Sequence, residues 1–194
     1  MLVPEPDDGR LKPGTTAPAF EATSLRGETI RLADRLDQPL WLAFFRFASC
    51  PLCNFRIHQL VGQWPKRFAH RPFRMLAVFQ SPPEKLDVYV SRHEPQFTVI
   101  ANPALDLYRL YGVEASLRKA FSGQVLEGLV GAAKAGLPLV GVPDGPAFRI
   151  PADFLIAPGG TIHTAFYGAN MADHIAFETV DEWLDEMERS QARI

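Results

Sequence analysis

Leu40-Trp41-Leu42-Ala43-Phe44-Phe45-Arg46-Phe47-Ala48-Ser49-Cys50-Pro51-Leu52-Cys53 is the stretch on which the fold turns. Its first six residues form an unbroken apolar run of strand length, the pattern of a central strand buried on both faces. Beyond Pro51, the residues Leu52, Phe55, Leu60, Trp64 and Phe68 recur at helical spacings, and Pro65 is expected to end or kink that helix. The two cysteines therefore fall at a strand-to-helix junction. Pro51 suits the first helical position, where its missing N–H costs nothing, and this makes Cys50 the N-cap. A sulfur placed there lies near unpaired backbone N–H groups and the positive end of the helix dipole, both of which favour thiolate over thiol. Cys53, one turn later, shares the helix face of Cys50 at a separation that a disulfide tolerates.

These are the 2 cysteines of the whole 194-residue chain, so they cannot staple distant parts of the fold. A bridge between them closes a loop too small to stabilise much. Their placement points to chemistry instead: Cys50 attacks a disulfide or an oxidised sulfur, Cys53 displaces the product and leaves an internal bridge, and an external reductant resets the pair. A zinc site needs four ligands, yet there is no second C-x-x-C, and His58, His70, His93, His163 and His174 show no paired ligand spacing. Haem attachment fails because Asn54, not histidine, follows Cys53. No metal and no cofactor are expected.

With 47% hydrophobic and 22% charged residues, the chain has the composition of a globular protein able to bury one sizeable core, and residues 1–194 are read as one domain. A net charge of -2 leaves no basic field for phosphate backbones or anionic lipid, so neither nucleic acid nor membrane is an expected partner. No segment reaches the roughly 18–20 unbroken apolar residues of a membrane-spanning helix. Residues 1–13 carry Pro4, Glu5, Pro6, Asp7 and Asp8 where a secretory leader would be basic and then apolar, and a cytoplasmic setting is expected.

Further along, strand and helix patterns alternate. Strands are expected at 73–79 and 97–100. A helix is expected from Ser81-Pro82-Pro83-Glu84, with Ser81 as its N-cap, to about His93, and a short one at 103–111 stopped by Gly112. Phe154-Leu155-Ile156, the turn at 157–160 and Thr161 to Tyr167 read as a hairpin. Asp173 to Glu188 reads as a closing amphipathic helix, with Ile175, Phe177, Val180, Trp183, Leu184 and Met187 on one side. Glu178, Asp181, Glu182, Asp185 and Glu186 are expected to form its solvated face.

The chain resembles the thioredoxin-like superfamily, and within it the peroxiredoxin-like group labelled alkyl hydroperoxide reductase or thiol-specific antioxidant. The resemblance rests on Gly14-Thr15-Thr16-Ala17-Pro18-Ala19-Phe20 near the start, on Asn102 to Tyr108 followed by Tyr111-Gly112-Val113, and on the late hairpin from Phe154 to Ile162. It implies a three-layer α/β/α thioredoxin-like fold around a central mixed sheet. It further implies a disulfide or peroxide substrate and a reducing partner such as a thioredoxin- or glutathione-type thiol; a homodimer is compatible with it. Ile150-Pro151 resembles the cis-proline that in thioredoxins faces the C-x-x-C and holds a substrate backbone.

The departures are as informative. The Pro-x-x-x-Thr-x-x-Cys motif of typical peroxiredoxins is absent in either register of the two cysteines. The family's peroxide-activating arginine would fall at or beside Pro151, leaving Arg149 and Arg46 as substitutes. The buried acid that thioredoxins carry six residues before the first cysteine is replaced by Phe44. Arg46, four residues before Cys50, faces the same side on a regular strand and would favour the thiolate; a solvent-facing arginine at a strand end is the alternative.

More chain separates Cys50 from Pro151 than in a minimal thioredoxin, and residues 113–148 are read as a helical and loop insertion. Leu117, Phe121, Val125 and Leu129 give it an apolar stripe, which Gly123, Gly128 and Gly131 weaken as a helix. It leads into Pro151, so it is expected either to wall or cover the site, or merely to cover a sheet edge. The leading function is a thiol-disulfide oxidoreductase, with Cys50 attacking, Cys53 resolving, and Ile150, Pro151, Arg46 and Arg149 around the substrate. The alternatives are a peroxide reductase and a redox-inactive binding module on the same fold.

Overall fold

A computed structural model of the protein describes residues 9–116 and 123–192. Expectations resting on residues 1–8, or on Leu117 and Phe121 of the stripe, lie outside the described residues. Gly14-to-Ala17 bonds to the late hairpin, and the chain then forms a small antiparallel ribbon of β1 (Glu21–Thr23) and β2 (Thr29–Arg31). The apolar run becomes β3 (Leu40–Phe44), with all five residues buried. α1 (Pro51–Arg67) follows, with Cys50 as N-cap and Pro51 in its first turn; it continues past Pro65 and stops within that turn.

β4 (Arg74–Phe79) and β5 (Thr98–Ala101) come next, separated by α2 (Pro83–Tyr89) and a 3-10 turn at Ser91–His93. The helix expected from 81 to 93 is thus broken in two, and Glu94 ends it in the left-handed region at φ 51°. Ser81 does not cap it; its hydroxyl is engaged elsewhere, as described below. α3 (Asp106–Leu110) is closed by Gly112 at φ 63°, as its sequence foretold. A side chain at 112 would meet the main-chain oxygen of Gly9 at 2.3 Å, so glycine is required there twice over. α4 (Gly123–Lys134) leads to an irregular strap over residues 137–148, and then β6 (Ala152–Ile156), β7 (Ile162–Tyr167) and α5 (Phe177–Gln191) complete the order.

Among the described residues, five strands form one mixed sheet in the order β5-β4-β3-β6-β7. β3, β4 and β5 are parallel, while β6 runs antiparallel to β3 and β7 antiparallel to β6. Alternation along β3 divides the core. Trp41, Ala43 and Phe45 face Leu60, Leu86, Val180 and Trp183 from α1, α2 and α5, while Leu42 and Phe44 face Leu107 and Tyr108 of α3 and Ile30 of β2. This is the three-layer α/β arrangement with a central mixed sheet expected from the sequence.

α5 starts four residues later than its periodicity suggests, because the preceding residues have other partners. Asp173 Oδ2 accepts the Ala169 N–H, and His174 and the Ile175 N–H hold the buried carboxylate of Asp153. Its acidic face is not merely solvated. Arg67 at the end of α1 pairs with Glu178 and Asp181, and Arg71 with Asp181, Asp185 and Glu188, tying the last helix to the first.

Two of the three glycines of α4, Gly128 and Gly131, have a packing reason. A Cβ at Gly128 would lie 2.7 Å from Leu52 Cδ2, and one at Gly131 would lie 2.3 Å from Phe55 Cζ. They let α4 settle against the first turns of α1, with Val125 and Ala132 buried. Among the described residues no helix is long and apolar enough to cross a membrane.

Candidate active site

The cysteines sit where β3 ends and α1 begins, at the carboxyl ends of the parallel strands, the usual place for a ligand crevice in such sheets. Both thiols are reduced and covered, Cys50 at 0% and Cys53 at 3% exposure. Arg46 is buried between them. Its main-chain N–H donates to Cys53 Sγ at 3.4 Å, and its Nη1 donates to Cys50 Sγ at 3.1 Å. β3 ends at Phe44, so these contacts beyond the regular strand are what point Arg46 inward, onto the Cys50 thiol.

The two thiols are electrostatically unequal. Burial by itself would raise Cys50, but a hydrogen bond from Cys53, the Arg46 guanidinium and the N–H groups of Cys53 and Leu52 outweigh it and bring the thiol from 9.0 down to about 6. Burial pushes Cys53 up, and the negative charge on Cys50 pushes it further. At neutral pH the pair is a Cys50 thiolate accepting a hydrogen bond from a Cys53 thiol. This is the division of labour that nucleophilic attack followed by resolution requires.

Residues that sequence reasoning passed over hold the loop that carries Cys50. Asn54 Nδ2 donates to the main-chain oxygens of Ala48 (2.6 Å) and Cys50 (2.9 Å). That leaves Asn54 Oδ1 as an acceptor for Arg92 and for His93 Nε2, which must then carry the proton. Burial, Arg92 and His58 hold His93 down at about 4, so it is neutral at pH 7. From the other side, the Ala48 N–H donates to Ser81 Oγ at 2.6 Å. One signal was available in the sequence: Gln80-Ser81 is a polar pair closing an otherwise apolar strand, at the end of the sheet where sites form.

Arg149 is buried one layer below, its guanidinium 4.9 Å from the Tyr108 ring centroid and its Nη1 donating to Val113 O at 2.7 Å. Tyr108 in turn donates its hydroxyl to the carbonyls of Phe45 and Val78, bracing the ends of β3 and β4. The Ile150–Pro151 bond is not cis; no cis peptide occurs among the described residues. The chain arrives there already extended, because Arg149 bridges to Ala115 and the Ile150 N–H bonds to Glu114 O, so no tight turn calls for the rarer isomer. Pro151 O accepts the Gly168 N–H.

The strap is tied to residues that flank Cys50 and follow β4. Ser49 Oγ donates to Val142 O (3.0 Å), Gln80 Nε2 to Pro146 O (3.2 Å), Ser81 Oγ to Asp144 Oδ1 (2.8 Å), and Arg46 Nη2 to Ala147 O. On the far side of α1, a cavity of about 370 Å³ opens between α4 and the 172–174 loop, lined by Leu52, Phe55, Arg56 and His174 among others. The buried acid missing at Phe44 has a counterpart on the neighbouring strand. Asp153, paired in register with Ala43, accepts from Trp41 Nε1 at 2.9 Å and lies 2.9 Å from His174 Nδ1. Burial would raise its carboxyl, but His174, Arg56 and the Ile175 N–H keep it below the usual range. Among the described residues no group of three or more His, Cys, Asp or Glu side chains forms a metal site.

A family model described as the AhpC/TSA family matches residues 13–165. No curated protein matches the chain in sequence. Among solved structures, a thiol peroxidase from Chromobacterium violaceum superposes with a TM-score of 0.63 at 15% identity, covering 92% of this chain and 89% of its own. A yeast mitochondrial 1-Cys peroxiredoxin, whose thiol is resolved via glutathione/thioredoxin systems, gives 0.66 at 16% identity over 94% of this chain and 78% of its own. The thioredoxin domain of a thiol-disulfide oxidoreductase from Bacteroides vulgatus gives 0.52 at 17% identity over 90% and 99%. The fold is thioredoxin-like.

Proposed function

The chain belongs to the AhpC/TSA family, and from that premise we propose that it is a thiol-disulfide oxidoreductase that uses Cys50 as nucleophile and Cys53 as resolving thiol. The observation that carries this reading is the asymmetry of the pair, a thiolate at the N-terminus of α1 beside Arg46 and a protonated thiol one turn on. The Cys50 thiolate attacks one sulfur of a substrate disulfide, forming a mixed disulfide and expelling the other sulfur as a thiolate. Cys53 then gives up its proton and attacks Cys50 Sγ. The Cys50–Cys53 bond forms, the mixed disulfide breaks, and the second substrate thiolate leaves. The substrate gains two electrons and the protein dithiol loses them; an external thiol reductant of thioredoxin or glutathione type returns them. A cytoplasmic setting, where such reductants keep thiols reduced, suits the cycle.

A second reading is favoured by the two buried arginines, Arg46 and Arg149, near the end of β3. There the thiolate attacks the O–O bond of a hydroperoxide, an alcohol or water leaves, and Cys53 condenses with the resulting sulfenic acid to give the same internal disulfide and a water. Disulfide reduction and peroxide consumption by wild type, Cys50→Ser and Cys53→Ser distinguish the readings. Disulfide turnover lost in both variants is the expected result. Peroxide consumption that survives Cys53→Ser with a thiol reductant supports the second reading. Thiols that alkylate slowly with an ordinary pH midpoint near ~8.5 would leave a redox-inactive binding module.

A further inference from the structure

The contacts that hold the strap beside Cys50 share one character. The donors all come from the loops that follow β3 and β4, namely Arg46, Ser49, Gln80 and Ser81, and the acceptors all come from the strap. Three of the four acceptors are main-chain carbonyls, those of Val142, Pro146 and Ala147. Residues 137–148 have no helix or strand of their own, and their apolar side chains do not hold them down: Val140 is 85% and Val142 71% exposed. The groove beside the nucleophile therefore grips an irregular peptide by its backbone, with little regard to side chains.

The fit of that peptide is incomplete in a particular way. Gln80 is buried, and its Nε2 is used by Pro146 O, but its Oε1 has no partner; Arg46 Nε is likewise buried without one. An unpartnered buried acceptor calls for a donor. The strap is poor in donors because Pro138, Pro143 and Pro146 lack a main-chain N–H. An ordinary polypeptide segment carries N–H groups where the strap has prolines, and so has what Gln80 Oε1 lacks. At Gly141 the strap lies so close that a Cβ would stand 2.0 Å from Ser49 O, so its contact with the loop depends on a bare backbone.

We propose that the strap is a tethered stand-in for substrate, and that the substrate class of this site is an extended polypeptide segment bearing a disulfide. Such a segment displaces residues 137–148, offers its own carbonyls to Ser49, Gln80 and Arg46, and brings its sulfur to Cys50. The proposal rests on the reading of Cys50 as a redox nucleophile and names what that nucleophile is built to meet. In the covered state the thiolate is shielded from small oxidants, while a peptide that competes for the same donors uncovers it.

Gly141→Ala tests this, because the methyl group collides with Ser49, main chain and hydroxyl alike, and lifts the strap; Asp144→Ala, which removes the Ser81 bond and leaves Ser49 as it is, is the independent release. With folding checked by circular dichroism, either variant should speed alkylation of Cys50 at pH 7 by about tenfold or more, the factor that one lost contact of about 1.4 kcal/mol gives. A synthetic peptide of residues 137–148 added to the released variant should slow it again. A disulfide-linked pair of unstructured dodecapeptides should be reduced faster than hydroxyethyl disulfide or hydrogen peroxide. Unchanged alkylation in both variants would overturn the proposal. So would a faster rate that the free peptide does not slow, with all three oxidants consumed alike. If Cys50 stays inert in both released variants while the unfolded chain alkylates normally, the redox reading itself fails along with it.

Discussion

At the scale of single residues, Arg46 is the charged side chain in direct contact with Cys50. Its guanidinium is one of the groups that offset burial and bring the thiol to about 6. Arg46→Ala should therefore move the pH midpoint of Cys50 alkylation up from about 6, short of the ordinary ~8.5 because Cys53 and the helix N–H groups still act, so that the thiolate fraction at pH 7 falls. The midpoint is the quantity to read, since losing the Arg46 bond to Ala147 also loosens the strap and changes access. A midpoint that stays near 6 would show that helix N–H groups and Cys53 suffice. Spacing left open whether Arg46 turns inward or to solvent, whereas Cys50 as N-cap, Pro51 in the first turn and Cys53 one turn on were legible because their places follow from one helix. Asn54, Gln80 and Ser81 were not, because each acts on chain far away in sequence, and a hydroxyl or amide carries no periodic signature. Ile150-Pro151 misled for a related reason: the isomer of a proline bond is set by what the preceding backbone pairs with, here Glu114 and Ala115.

Among the elements, α4 illustrates how one substitution takes opposite signs in two contexts. Glycine costs about 1 kcal/mol relative to alanine inside a helix, so the sequence alone makes Gly128 and Gly131 read as weak points. Against α1 they are points of close approach, and overpacking there costs about 1–3 kcal/mol. Gly131→Ala should thus lower the midpoint of denaturant unfolding, whereas Gly62→Ala on α1, with no atom within 4 Å of its Cβ, should raise it. Two midpoints shifting in the same direction would contradict this packing. The central strands β3 and β4 were readable almost to the residue, since burial on both faces leaves a continuous apolar run, whereas the short, half-exposed ribbon of β1 and β2 left no such signal. Helix ends were less so. α2 starts at Pro83 with Ser81 drawn to Ala48 and Asp144 instead of capping it, and α5 starts late because His174 and Ile175 are drawn to Asp153.

For the whole molecule, the unequal thiols couple folding to pH. Between about 6 and 9 the unfolded Cys50 keeps a proton that the folded one has released. The unfolded state then binds more protons, and stability of the reduced protein rises with pH by up to about 1.4 kcal/mol per unit, an increment lost as pH falls through 6. Above 9 the sign reverses, because Cys53 stays protonated only in the fold. Urea unfolding of reduced wild type minus that of Cys50→Ser, followed from pH 5 to 9, should show the rise; a flat difference would refute the thiolate. The layered architecture was implied by the resemblance to thioredoxin-like proteins, with which the alternating strand and helix patterns agree, but the Arg67 and Arg71 ties to α5 were not legible, since an acidic helix face looks the same whether or not cations lie opposite. The burial of Cys50, at 0% exposure, finally bears on how long such a sulfur survives. Passage from sulfenic to sulfinic and sulfonic acid takes a fresh oxidant molecule at every rung. With the sulfur buried, each arrival needs the chain to part, so overoxidation is slowed by the fraction of time it stays closed, once for every rung.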